Sequence, residues 1–187
     1  MSKASQIVIL CEDKAHEIFA KRFLTRGWGV KHRAIRVPSY PSGKGSGKRF
    51  VTDNFAKEAA ALRKRSASTI LIVMHDADEL PVERARSSLE SRLHPSRRCD
   101  EPIVFIIPKW HIETWIAWLH DEIVNENDKH SYKAEFGRIS ESKEAHVFID
   151  ALSDDCRNNR QLKNPPESLV LACQEFERIR NRLASRK

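Results

Sequence analysis

Three continuous apolar runs, QIVILC (6–11), STILIVMH (68–75) and EPIVFIIP (101–108), constrain the fold more than any other feature of the chain. They are short and rich in β-branched residues, and they lack the apolar–polar alternation of a strand with one wet face. Such runs suit strands buried on both faces, as in a parallel sheet covered by helices on either side. The segments between them have helical spacing. KAHEIFAKRFLTR (14–26) carries Ile18, Phe19, Phe23 and Leu24 on one side, with Gly27 as a stop. GVKHRAIRV (29–37) alternates weakly before Pro38 and predicts a further strand. A helix is expected from Thr52 or Asp53 to about Arg65, another from Pro81 to about Leu93, and an amphipathic one over WHIETWIAWLHDEI (110–123).

The order β-α-β-α-β-α-β-α implies right-handed crossovers and a mostly parallel sheet with helices on both faces. Residues 1–123 are expected to form this α/β core. From 124 the chain turns polar, and two more helices are expected over 141–152 and 166–187, with a polar loop over 154–166 between them. Residues 124–187 are then a helical extension packed on the core, making one domain overall. Forty percent hydrophobic residues suffice for a core, and the net charge of +7 favours an anionic partner. The four cysteines (Cys11, Cys99, Cys156 and Cys173) show no C-x-x-C spacing and are expected as reduced thiols. No stretch has a signal-peptide layout or the length of a membrane span, so a cytoplasmic protein with no membrane partner is expected.

The loop SYPSGKGSGKRF (39–50) has the composition of a phosphate-binding P-loop but not its pattern. Three residues, not four, separate Gly43 from Gly47, and Arg49 stands where the Mg²⁺-binding Ser or Thr is needed. A cationic loop in contact with a polymer's phosphates fits better, with Lys44, Lys48, Arg49 and the nearby Arg36 as the contacts.

Sites in open parallel sheets form outside the carboxyl ends of the strands. There the first expected strand ends in Glu12 and Asp13, the third in His75, Asp76 and Asp78, and the fourth is followed by Lys109 and Glu113. Carboxylates crowded together repel one another unless a cation intervenes. Mg²⁺ or Mn²⁺ accepts one or two of them and keeps its other positions for water or phosphate oxygens. Glu12, Asp76 and Asp78 are the expected metal ligands, and a third acid from another strand completes such a site or acts as general acid/base, while Glu113 also suits the first turn of a helix. Of the lysines able to hold a phosphate (Lys14, Lys109 and Lys163), Lys109 is the best placed. His75 is either a proton carrier or a packed core residue. His16, His111 and His120 have no recognised metal-ligand spacing. Trp115 and Trp118 share a helix face suited to docking the C-terminal helices.

A Glu ending the first strand and D-x-D ending a later one, in IVILCEDKAHEIFAKRFL and ILIVMHDADE, resemble the Toprim domain of topoisomerases, bacterial primases and nucleases of the overcoming-lysogenization-defect type. IIPKWHIETWIAWL resembles the corresponding part of small bacterial Toprim-like proteins, some linked to phage defence. The resemblance spans roughly residues 6–120. It implies a Toprim-like, Rossmann-like fold and a Mg²⁺- or Mn²⁺-dependent nuclease acting on DNA or RNA. In that family Glu12 is general acid/base or metal ligand, Asp76 and Asp78 bind metal, and Glu113 is an additional acid. Some relatives work with an ATPase partner, and assembly as a homo-oligomer stays open. Asp13 departs from the pattern, since many members have Gly there. A topoisomerase is disfavoured, because Tyr40 and Tyr132 are the only tyrosines available as nucleophile. Two other classes remain. One is a receiver-like phosphoacceptor module using Glu12, Asp13, Asp76 and Lys109. The other is a non-catalytic nucleic-acid-binding subunit.

Overall fold

A computed structural model describes residues 4–41, 43, 46–65, 67–127, 129 and 132–183. Four parallel strands, β1 (Gln6–Leu10), β2 (Ile35–Arg36), β3 (Thr69–Met74) and β4 (Ile103–Ile106), lie in the order β2-β1-β3-β4. Ile7 pairs with Ile70 and Ile35, and Val73 with Phe105. The fold is α/β and Rossmann-like, with additional helices at the C-terminal end, as the apolar runs imply.

Successive strand residues face opposite sides, so each apolar run feeds two cores. Ile7, Ile9, Ile70, Ile72, Met74, Val104 and Ile106 meet α1 (Lys14–Arg26) and α4 (Ile112–Leu119). Val8, Leu10, Leu71, Val73, Ile103 and Phe105 meet α2 (Ser46–Lys64) and α3 (Val82–Glu90). The first of these cores continues into α5 (Lys133–Ser140), α6 (His146–Arg157), α7 (Glu167–Arg178) and α8 (Arg180–Leu183) through Phe136, Ile149, Leu152, Leu169, Phe176 and Leu183. Trp115 is fully buried and its indole N–H donates to Ser168 Oγ at 2.8 Å, which docks α7 on α4.

Several boundaries differ from those expected. The second strand shrinks to two residues, because His32–Ala34 form a 3₁₀ turn first. Helix α2 starts at Ser46, six residues before Thr52, so the end of the glycine-rich segment is its first turn. Gly47 lets that turn pack against the end of β1: a β-carbon there would lie 2.0 Å from the Glu12 carbonyl oxygen, a separation only glycine allows. Helix α5 lies in a polar segment for which no element was expected, and α6 continues into the expected loop after 154. The structure also corrects the expectation of four reduced thiols. It pairs Cys156 of α6 with Cys173 of α7, a proximity made by helix packing and invisible in spacing. Cys11 and Cys99 remain free.

The outer edge of β4 is closed by side chains of α7. Glu175 Oε2 accepts the Phe105 N–H at 3.4 Å. Arg178 donates to the carbonyls of Cys99, Glu101 and Ile103, and Arg97 donates to Ile103 O and pairs with Glu175. No helix among the described residues is long and apolar enough to cross a membrane.

Candidate functional site

Strand order reverses at β1. The chain leaves β1 for β2 on one side through α1, and reaches β3 on the other side through α2. The crevice between the carboxyl ends of β1 and β3 is the switch point, where ligands bind in open parallel sheets. Glu12 and Asp76 leave those two strands and meet there: Glu12 Oε1 accepts the backbone N–H of Asp76 at 3.0 Å.

Glu12, Asp13, Asp76 and Asp78 each face a base. Asp76 Oδ1 lies 3.0 Å from His16 Nε2, and His16 is completely buried. Burial alone would lower the His16 pKa. Asp76, with Asp13 and Glu12 behind it, outweighs burial and raises it to about 10. Glu12 Oε1 lies 2.7 Å from His75 Nδ1. Asp13 caps α1, accepting the His16 N–H at 3.0 Å. Burial works against the charged form of Asp13, yet His16 and Lys133 hold its carboxyl below the usual range. Asp78 occupies a left-handed turn at φ +54°, a conformation Asp tolerates better than most residues, and its carboxylate lies 2.5 Å from Lys48 Nζ. Glu113, in the first turn of α4, is 2% exposed; Ser140 Oγ is 3.4 Å from its Oε1.

The structure thus gathers Glu12, Asp76, Asp78 and Glu113 on one rim and adds Lys48. That lysine also reaches the Asp76 carbonyl at 3.4 Å, so it belongs to the site itself, carried there by the helical turn that Gly47 permits. Lys109 points elsewhere. Its ammonium donates to the carbonyls of Asp78 at 2.7 Å and Leu80 at 3.1 Å and lies 4.0 Å from the Trp110 ring centroid. It ties down the loop that carries the D-x-D acids. Arg36 pairs with Glu58 at 2.5 Å, and Arg49 is exposed with Asp53 at 3.4 Å. Lys44 lies outside the described residues. Lys14 pairs with Glu17, and Lys163 lines a cavity of about 670 Å³ with Trp118 and Ile123.

Two participants escaped sequence reasoning. His16 was weighed only for metal-ligand spacing; its place in the first turn of α1, just after the acids that end β1, was the available signal. Lys133 begins α5, and nothing local marks it. Its Nζ is 3.8 Å from Asp13 Oδ2. Partial burial would lower its pKa, but Glu113, Asp13, Asp76 and Glu12 outweigh that and raise it. Two nucleophile candidates drop out: burial pushes the Cys11 thiol far up, and burial together with the hydrogen bond to Glu17 does the same to Tyr40.

Among the described residues, no three His, Cys, Asp or Glu side chains are grouped so as to hold a metal ion in their present positions. The donor chemistry nevertheless suits a hard dication, since carboxylate oxygens are what Mg²⁺ and Mn²⁺ accept. Burial raises the Asp76 carboxyl, and His16 pulls it back down. The Nδ1 atoms of His16 and His75 are buried without a hydrogen bond, the His75 contact to Glu12 being close but misaligned. Glu12, Asp76 and Asp78 are the residues that would hold such an ion. Compared with known proteins, the chain matches no family model, no curated protein and no solved structure.

Proposed function

We propose that the protein is a Toprim-like, divalent-metal-dependent nuclease acting on DNA or RNA phosphodiesters. The observation that carries this reading is the meeting of Glu12 and Asp76 at the β1–β3 switch point, joined through the 3.0 Å bond from the Asp76 N–H, with Asp78 two residues further on beside Lys48. The excess of positive charge over the chain supports a polyanionic substrate. Glu12, Asp76 and Asp78 would hold Mg²⁺ or Mn²⁺, which when bound supplies an activated water and shields charge on the phosphate. Lys48 stands beside Asp78, where a phosphate oxygen would meet an ammonium. Glu12 would also be the acid/base group of the site. Arg49, exposed beside Asp53, would contact the nucleic-acid backbone.

The phosphoacceptor alternative has weaker support. Asp76 is buried against His16, and Lys109 is bonded to backbone carbonyls rather than directed at Asp76.

The test is cleavage of labelled single- and double-stranded DNA and RNA with Mg²⁺ or Mn²⁺, alone and with bacterial ATPase fractions, comparing wild type with the Asp76→Asn/Asp78→Asn variant. Metal-dependent cleavage lost in the variant is expected. A wild type that neither cleaves nor binds Mn²⁺ overturns the proposal.

A further inference from the structure

Lys48, Thr52, Ala56, Ala60 and Lys64 recur every four residues along α2, which places them in one row, and none of the five is buried. The row starts at the rim, where Lys48 meets Asp78, and ends about 24 Å away along the helix axis. Beside its far half lies a groove of about 400 Å³, walled by Ala56, Ala60, Arg63 and Lys64 of α2 and by the Arg92–His94 segment that follows α3. Leu93 fixes that segment: it is buried in the core beneath α2, with the exposed Arg92 and His94 on either side of it.

Four basic side chains line the groove and, among the described residues, no carboxylate does. Arg63 is held by the buried Glu101 at 2.6 Å. Lys64 and Arg92 have no acidic partner among the described residues, and Arg92 donates to the Thr52 carbonyl at 3.5 Å. The two carboxylates of α2 are engaged elsewhere, Asp53 with Arg49 and Glu58 with Arg36, and Glu90 at the end of α3 pairs with Arg97.

A cleft lined by one sign of charge focuses its field and concentrates the opposite charge there. A nucleic-acid backbone, with its phosphates in a regular line, answers such a groove by charge, and the alanines at 56 and 60 let it approach the helix closely. An acidic polypeptide would match the charge but gives no reason for a groove aligned with the rim. Resting on the reading of a nucleic-acid substrate above, we infer that the α2–α3 groove is a second contact for the backbone of that substrate, made without regard to sequence through Lys64 and Arg92. The row from Lys64 to Lys48 then leads the strand toward Glu12, Asp76 and Asp78.

The test is fluorescence anisotropy of labelled duplex DNA and single-stranded RNA on the full chain, without divalent metal, over a salt series. Wild type, Lys64→Gln/Arg92→Gln and Lys31→Gln/Arg33→Gln are compared, with folding checked by circular dichroism. The last variant removes the same charge from a separate cavity beside Ile7 and Leu183. Each phosphate contact adds about 0.9 to the slope of log affinity against log salt for a duplex. Lys64→Gln/Arg92→Gln should bind several-fold more weakly, with a duplex slope shallower by about 1.8, and Lys31→Gln/Arg33→Gln should bind as wild type does. An unchanged slope in Lys64→Gln/Arg92→Gln, or an equal loss in both variants, overturns the groove and leaves the nuclease reading to be judged by metal-dependent cleavage. Tighter binding of poly-glutamate than of either nucleic acid also overturns it and assigns the groove to acidic polypeptides. A wild type that binds neither DNA nor RNA at about 50 mM salt removes the groove and the nucleic-acid substrate together.

Discussion

His16 Nε2 and Asp76 Oδ1 lie 3.0 Å apart, joining the first turn of α1 to the end of β3 in a pair whose histidine has no solvent exposure. Removing one member of a buried pair leaves the other uncompensated, typically at about 3–5 kcal/mol. His16→Leu should therefore lower the free energy of urea unfolding by that order. Adding Asp76→Asn to His16→Leu should recover part of the loss. Unfolding of His16→Leu within about 1 kcal/mol of wild type would mean the pair does not hold these segments together.

Gly47 and Gly29 make a controlled comparison. A β-carbon on Gly47 meets the backbone of Glu12, which cannot turn aside as a flexible side chain would. Gly29 has φ +65° but open space around it. Gly47→Ala should cost about 1–3 kcal/mol through overpacking and weaken Mn²⁺ binding by moving Lys48 and Glu12 apart. Gly29→Ala should cost about 1 kcal/mol, from its left-handed backbone alone, and leave Mn²⁺ binding as it is. Equal effects on metal binding would remove Gly47 from the architecture of the rim.

Lys109 separates a loop anchor from a transition-state lysine. With its ammonium on the carbonyls of Asp78 and Leu80, Lys109→Met should weaken Mn²⁺ affinity several-fold while cleavage persists at saturating metal. A lysine bound to the reacting phosphate would instead lose roughly 10²–10³ in turnover with metal affinity unchanged. Titration of cleavage against Mn²⁺ distinguishes the two.

Acid should loosen the β4 side of the molecule. Arg63, against the opposing effect of burial, holds the Glu101 carboxyl below its ordinary value of 4.5. Burial opposes ionisation of Glu175, yet Arg97 and Arg178 hold it below 4.5 as well. A carboxyl depressed by folding stabilises the protein above its unfolded pKa, and that contribution disappears as pH falls through the folded value. Stability from these groups should be flat above about pH 5 and fall steadily below the ordinary glutamate value of 4.5. Glu175→Gln should be less stable at pH 7 and show a shallower acid decline. An unchanged slope between pH 5 and 3 would show that the pairing with Arg97 and Arg178 is not what lowers the carboxyl.

Strands β1, β3 and β4 were legible because strands buried on both faces read as continuous apolar runs, as in TILIVM of β3, whereas the order β2-β1-β3-β4 was not. The rim acids were legible for a related reason: the sheet rule says which end of each strand to inspect, and Glu12, Asp76, Asp78 and Glu113 all lie there. Contacts that arise from packing were not legible. Gly47 reads as loop flexibility until the Glu12 carbonyl is seen against it. Lys109 reads as a catalytic cation until its carbonyl partners are known. Lys133 and the Cys156–Cys173 pair depend on how the last helices settle on the sheet, and no local period encodes that.

The closure of β4 by Glu175, Arg178 and Arg97 bears on how the protein meets others. An open strand edge invites an extended segment to add itself by main-chain pairing, in recognition or in fibrous association. Here the Phe105 amide and the Ile103 carbonyl are already taken by side chains, and the opposite edge, β2, offers two residues. A partner protein therefore has to engage helices or loops, and variants that cut α7 away should form strand-mediated aggregates where the intact chain does not.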